Sequence, residues 1–167
     1  MRKHVLILAN GFVNDAPRAL PTDLLTFADP ASEMHVLAPV HLTRLQSLCS
    51  DLDQPRADAH ERLDRILQDM TVLGLSATGE IAHEDQLLAT EDALAQSNAH
   101  AIVVVTHVPG QQNWRERQLI ANVARFQLPV KDVLITRDGT IATPSPREPW
   151  MTPNDPTRCA ASHQHGA

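Results

Sequence analysis

Three short runs of the chain are apolar almost without a break: Val5 to Ala9, Met34 to Ala38 and Ala101 to Thr106. A fourth, Val130 to Thr136, follows Pro129 and is rich in β-branched residues. Continuous rather than alternating apolar character predicts strands covered on both faces, as in a parallel sheet. A weaker strand is predicted over Ser76 to Ala82, where Gly74 and Gly79 punctuate the chain. Between the strands the apolar spacing changes to three and four. Arg56 to Leu73 places Ala59, Leu63, Ile66, Leu67, Met70 and Leu73 on one face, with Asp, Glu, Arg and Gln between them. That is the pattern of an amphipathic helix.

Asp85 to Ser97 repeats this pattern through Leu87, Leu88, Ala89, Ala93 and Leu94, and Trp114 to Phe126 through Leu119, Ile120, Val123 and Ala124. The last helix has a marked start. Asn113 is its predicted N-cap, and Glu116, three residues on, completes a capping box. In Ala16 to Phe27, Pro17 and Pro21 interrupt the pattern; proline is tolerated only in a first turn, so a helix is predicted to begin near Pro21. The order β-α-β-α-β-α-β-α-β favours an α/β domain with a mainly parallel sheet. After the fifth strand, Arg137-Asp138-Gly139-Thr140 reads as a tight turn, with a short edge strand from Thr140 to Thr143. From Pro144 five prolines break any ladder and the end is polar. Residues 1–143 are therefore expected to form one domain, and 144–167 a largely disordered proline-rich tail.

Composition narrows the function. Of 167 residues 43% are hydrophobic, enough for a core, but aromatics are 3% and tyrosine is absent, so that core rests on Leu, Val, Ile and Ala. A formal charge of −6 argues against a nucleic-acid partner, whose phosphates call for Lys and Arg. Cys49 and Cys159 lie far apart, which suits a reducing interior rather than a disulfide scaffold. The basic start, Met1-Arg2-Lys3-His4, precedes too short an apolar run for a signal peptide, and no run approaches the length of a membrane span. A cytoplasmic protein is expected, with no membrane partner.

In open α/β sheets ligands bind beyond the carboxyl ends of the strands. Those ends carry Asn10 and Gly11, Pro39 and His41, His83, and Thr106 to Gly110. Three strand-end histidines, His41, His83 and His107, raise the possibility of a metal, since neutral imidazole is a common ligand. None of the nine histidines stands in a His-x-x-x-His pairing, there is no Cys-x-x-Cys, and no metal site is assigned. Free N–H groups at the helix starting with Trp114 suit an anion, but Gly110 stands alone where a phosphate cradle uses several glycines, and Asn113 takes some of the donors. Arg115 and Arg117 read as solvated surface. Trp114 is expected to pack against the sheet edge or a partner subunit, with ligand stacking the alternative. No nucleophile elbow is present, and no catalytic residue is assigned.

The segment Thr106-His107-Val108-Pro109-Gly110-Gln111-Gln112-Asn113-Trp114-Arg115-Glu116-Arg117, the stretch Leu128-Pro129-Val130 and the helix Leu88-Ala89-Thr90-Glu91-Asp92-Ala93-Leu94 resemble the universal stress protein family. The likeness is to a divergent, actinobacterial-type group without an assigned activity. It spans residues 4–136 in layout and is specific over 85–135. It implies an open, doubly wound five-stranded parallel sheet in the order 3-2-1-4-5, Rossmann-like, with helices on both faces. Many members are homodimers, and some bind ATP through Gly, two residues, Gly, nine residues, Gly, then Ser or Thr. Counted from Gly110, this chain has Asn113 and Val123 in place of the second and third glycines. Asn10 stands near the place of the acidic residue of ATP binders. The resemblance thus implies a non-catalytic, universal-stress-like protein in a stress response, without a cofactor, working as a homodimer through the fifth-strand edge or by sensing a small ligand. The tail is a candidate docking segment for a protein partner. The alternative is an ATP- or AMP-binding protein, with weak hydrolysis, whose site is Asn10, Gly11, His107, Gly110 and Asn113.

Overall fold

Hydrogen bonding joins the apolar runs into one sheet. The computed structural model describes residues 3–10, 31–41, 53–82, 85–136 and 141–142. Five strands run parallel: β1 (His4–Ala9), β2 (Glu33–Pro39), β3 (Ser76–Ala82), β4 (Ala101–His107) and β5 (Val130–Ile135). A two-residue β6 (Ile141–Ala142) returns antiparallel along Leu134 and Ile135. The sheet order is β3-β2-β1-β4-β5-β6, so the parallel part has the expected 3-2-1-4-5 order. The turn at 137–140 lies outside the described residues, as do the helix expected near Pro21, both cysteines and the tail at 144–167.

Strand order reverses between β1 and β4, and a fixed crossover hand then puts helices on opposite faces. Helix α1 (Asp53–Val72), linking β2 to β3, packs Leu63, Ile66 and Met70 against Ile7, Val36 and Val103. Helices α2 (Gln86–Ser97) and α3 (Trp114–Val123) lie on the other face, where Ala89, Ala93, Leu119 and Val123 meet Leu6, Leu8 and Val104. Neighbouring residues of β4 serve the two cores in turn, Ile102 and Val104 one, Val103 and Val105 the other. That is why its sequence shows no polar alternation.

Local chemistry sets the helix ends. Helix α1 begins at Asp53, three residues before the apolar pattern begins, and holds Pro55 in its first turn, where the missing N–H costs no intrahelical bond. At α2 the Asp85 carboxylate accepts the Leu87 and Leu88 N–H groups. The box at α3 is complete: Asn113 Oδ1 accepts Glu116 N–H at 2.9 Å and Glu116 Oε2 accepts Asn113 N–H at 2.8 Å. Helix α3 stops at Val123, short of the Phe126 expected, and tightens into a 3-10 turn at Ala124–Phe126. Gln127, at φ 54°, then turns the chain toward Pro129. Gly79 has a separate reason. A Cβ there would lie 2.6 Å from Leu63 Cδ1 and 2.8 Å from the Val36 carbonyl oxygen, so only glycine lets α1 approach β3 this closely.

Candidate functional site

The register carries the ends of β1, β2 and β4 to one level. Leu8 pairs with Leu37, and Ala9 with Val105. One step further, Asn10, Pro39 and Thr106 stand side by side at the carboxyl end of the sheet, where the strand order reverses. A cleft of about 510 Å³ opens there, between Asn10, the Pro39–His41 segment, the start of α2 and the first turns of α3. A recess of about 270 Å³ shares Asn10, His41 and Asn113 with it and adds Pro55, Asp58, Arg62 and His107. The cleft is in the size range of small-molecule sites.

Its walls are fixed by hydrogen bonds between elements. Asn10 is buried, and its side-chain amide exchanges two hydrogen bonds with that of Gln86, donating to Gln86 Oε1 at 3.0 Å and accepting from Gln86 Nε2. This ties β1 to the first residue of α2. Glu116, 1% exposed, accepts with both carboxylate oxygens. Oε1 takes the His107 backbone N–H at 3.1 Å and lies 2.8 Å from His107 Nδ1; Oε2 takes Asn113 N–H. A carboxylate has only acceptors to offer, so His107 carries its proton on Nδ1 toward Glu116. His107 Nε2 is buried and has no hydrogen-bond partner among the described residues.

Arg62 reaches in from α1 and is 5% exposed. One terminal nitrogen donates to the Pro39 carbonyl at 2.7 Å, while Nε has no partner among the described residues. Burial lowers its pKa from the ordinary value, with nearby Asp58 opposing the shift. His41 is half-buried beside these groups. Its pKa is pushed down to about 4, first by burial and then by the positive charge of Arg62, Arg115 and His107. At neutral pH it is an uncharged imidazole. Trp114 stands at the rim, 60% exposed, with the Arg115 guanidinium 5.3 Å from its ring centroid.

Of the site residues expected from the sequence, Asn10, His107 and Asn113 come together around the cleft and its recess. Gly11 lies outside the described residues. Gly110 is not among the lining residues; it sits in the turn after β4 at φ 90°, with nothing within 4 Å of where a Cβ would be. Its glycine serves the turn and not a close backbone approach. His41 and His107 share the recess, while His83 lies outside the described residues. Among the described residues no three His, Cys, Asp or Glu side chains are grouped to hold a metal. Trp114 lies at the cleft rim instead of against the sheet edge, because its place in the first turn of α3 turns it toward the strand ends. Arg62, Gln86 and the second role of Glu116 were not anticipated. Arg62 had a signal: it is three residues after Ala59 and four before Ile66, within the buried stripe.

No protein-family model and no curated protein matches the chain. Among solved structures it is similar to a protein from the universal stress protein family of Burkholderia pseudomallei, at 16% identity and a TM-score of 0.48, covering 78% of this chain and 94% of that one. No helix among the described residues is long and apolar enough to cross a membrane.

Proposed function

We propose that this is a non-catalytic, universal-stress-like protein that senses a small ligand with a planar ring, held in the cleft at the ends of β1, β2 and β4. The observation that carries the reading is Trp114. A 60% exposed tryptophan is costly to leave in water, and here it forms the rim of a polar cleft of about 510 Å³. Stacking of a flat ring on its face would remove that apolar surface from water. Asn10, Gln86, Asn113 and Gln118 supply amides around the same space, the mixed donors and acceptors that fix the orientation of a heterocycle.

A nucleoside monophosphate is the specific form of this reading that the cleft favours over a triphosphate. The Asn113 side chain, engaged in the capping box, occupies the helix start that a glycine would leave open to a phosphate chain. Thermal unfolding with adenosine, AMP and ATP with magnesium tests it. A ligand at a hundred times its dissociation constant adds about 2.7 kcal/mol, so AMP is expected to raise the midpoint by several degrees and ATP by less. No shift with any of them contradicts the reading.

The homodimer belongs to the same proposal. It would pair along the fifth-strand edge, which β6 covers at Leu134 and Ile135. Light scattering at micromolar concentration is expected to return twice the chain mass, and a monomer contradicts it.

A further inference from the structure

We propose that the recess beside the cleft is a subsite for a small oxyanion, a carboxylate or phosphate group, held by Arg62 with His41 and His107. It rests on the reading that the cleft holds a ligand, and adds that the ligand carries a negative group pointing toward Arg62 on α1.

Arg62 is the first reason. A guanidinium has five N–H donors in a planar fork suited to a carboxylate or phosphate. Here it is 5% exposed, and one hydrogen bond, to the Pro39 carbonyl, is recorded for it. Its Nε is buried without a partner among the described residues, and so is His107 Nε2. Both residues line the recess of about 270 Å³. Buried polar groups left unmatched cost about 1–3 kcal/mol each, more when charged. Arg62 Nε is a donor and His107 Nε2, with the proton on Nδ1, an acceptor, so the pair suits an oxyanion that keeps one protonated oxygen, as hydrogen phosphate does.

Charge is the second reason. His41 lines both spaces, and among the described residues the charges that act on it after burial, Arg62 first and then Arg115, are cationic. An anion seated among them reverses that field. Among the described residues Asp58 is the single carboxylate lining the recess, so it opposes the anion and gives a substitution with the opposite sign.

The test uses the full chain in low-salt buffer with inorganic phosphate and acetate as separate probes, followed at the His41 ring resonance across pH. The expected result is saturable binding that moves the His41 midpoint up from about 4 by about one pH unit. Asp58→Asn is expected to tighten phosphate binding several-fold, and Arg62→Met to weaken it at least tenfold. Should Arg62→Met fail to fold, Asp58→Asn decides alone. Acetate binding as well as phosphate points to a carboxylate-sized group, and phosphate alone to a phosphate ester; either supports the subsite. An unchanged His41 midpoint, or Asp58→Asn binding no tighter than the parent, overturns it. Adenosine raising the unfolding midpoint while both anions leave His41 unmoved sinks the subsite and spares the cleft. Anions moving His41 while no nucleoside or nucleotide stabilises the fold does the reverse.

Discussion

Glu116 Oε1 lies 2.8 Å from His107 Nδ1 and also accepts the His107 backbone N–H at 3.1 Å. With Oε2 on the Asn113 N–H, one buried carboxylate joins the end of β4 to the first turn of α3 and orients the imidazole in the recess. Glu116→Gln keeps the volume but turns an NH2 toward N–H donors. It is expected to destabilise the fold by about 1–3 kcal/mol, lowering the midpoint by roughly 2–4 °C per kcal/mol. Asn113→Ala, which removes the cap alone, is expected to cost about 1 kcal/mol. Urea unfolding of the two variants checks the order; equal losses would reduce Glu116 to a capping residue.

Gly79 predicts a packing effect far from the cleft. An added methyl meets Leu63 Cδ1 at 2.6 Å and the Val36 carbonyl oxygen at 2.8 Å, and the oxygen belongs to a strand that is not free to shift. Gly79→Ala is expected to destabilise by about 1–3 kcal/mol as overpacking, although alanine ordinarily improves on glycine in a strand. Urea unfolding checks the sign. A neutral or stabilised variant would mean that α1 does not press on β3 as described.

His41 predicts an acid limb to stability. Its folded pKa is about 4 against 6.5 for the free side chain, so the unfolded chain binds the proton more readily. The stabilisation is fully present above pH 6.5 and is lost as the pH falls toward 4; it amounts to at most about 3 kcal/mol. His41→Asn lacks this proton uptake. Across that window the parent is expected to lose stability relative to the variant, and parallel pH curves for the two proteins contradict the assignment.

The fold was legible because both faces of the sheet are covered. β1 and β4 are apolar throughout, and the helix stripes at Leu63, Ile66 and Met70 and at Leu119 and Val123 mark what covers them. The capping box at Asn113 and Glu116 was legible for the same local reason, since both partners lie within four residues. The site was legible where it falls on strand ends, as with Asn10, His41 and His107, and at the capped start of α3, as with Asn113. Arg62 is 23 residues from the carbonyl it holds and Gln86 is 76 from Asn10, distances over which no local pattern reports. Charged and amide side chains on helices read as solvated surface until a sheet end is brought against them. Glu116 shows the limit most clearly: one carboxylate does two jobs, and the sequence pattern shows only the capping one.

The proposed function puts a planar ligand in the cleft against Trp114. Its most direct test is Trp114 fluorescence in Trp150→Phe protein, which leaves a single tryptophan, titrated with adenosine, AMP and ATP. Saturable quenching by adenosine and AMP is expected, tighter for AMP, weaker for ATP, and reduced by Asn10→Ala. Fluorescence that stays constant with all three up to millimolar concentrations, in a protein that remains folded, contradicts it.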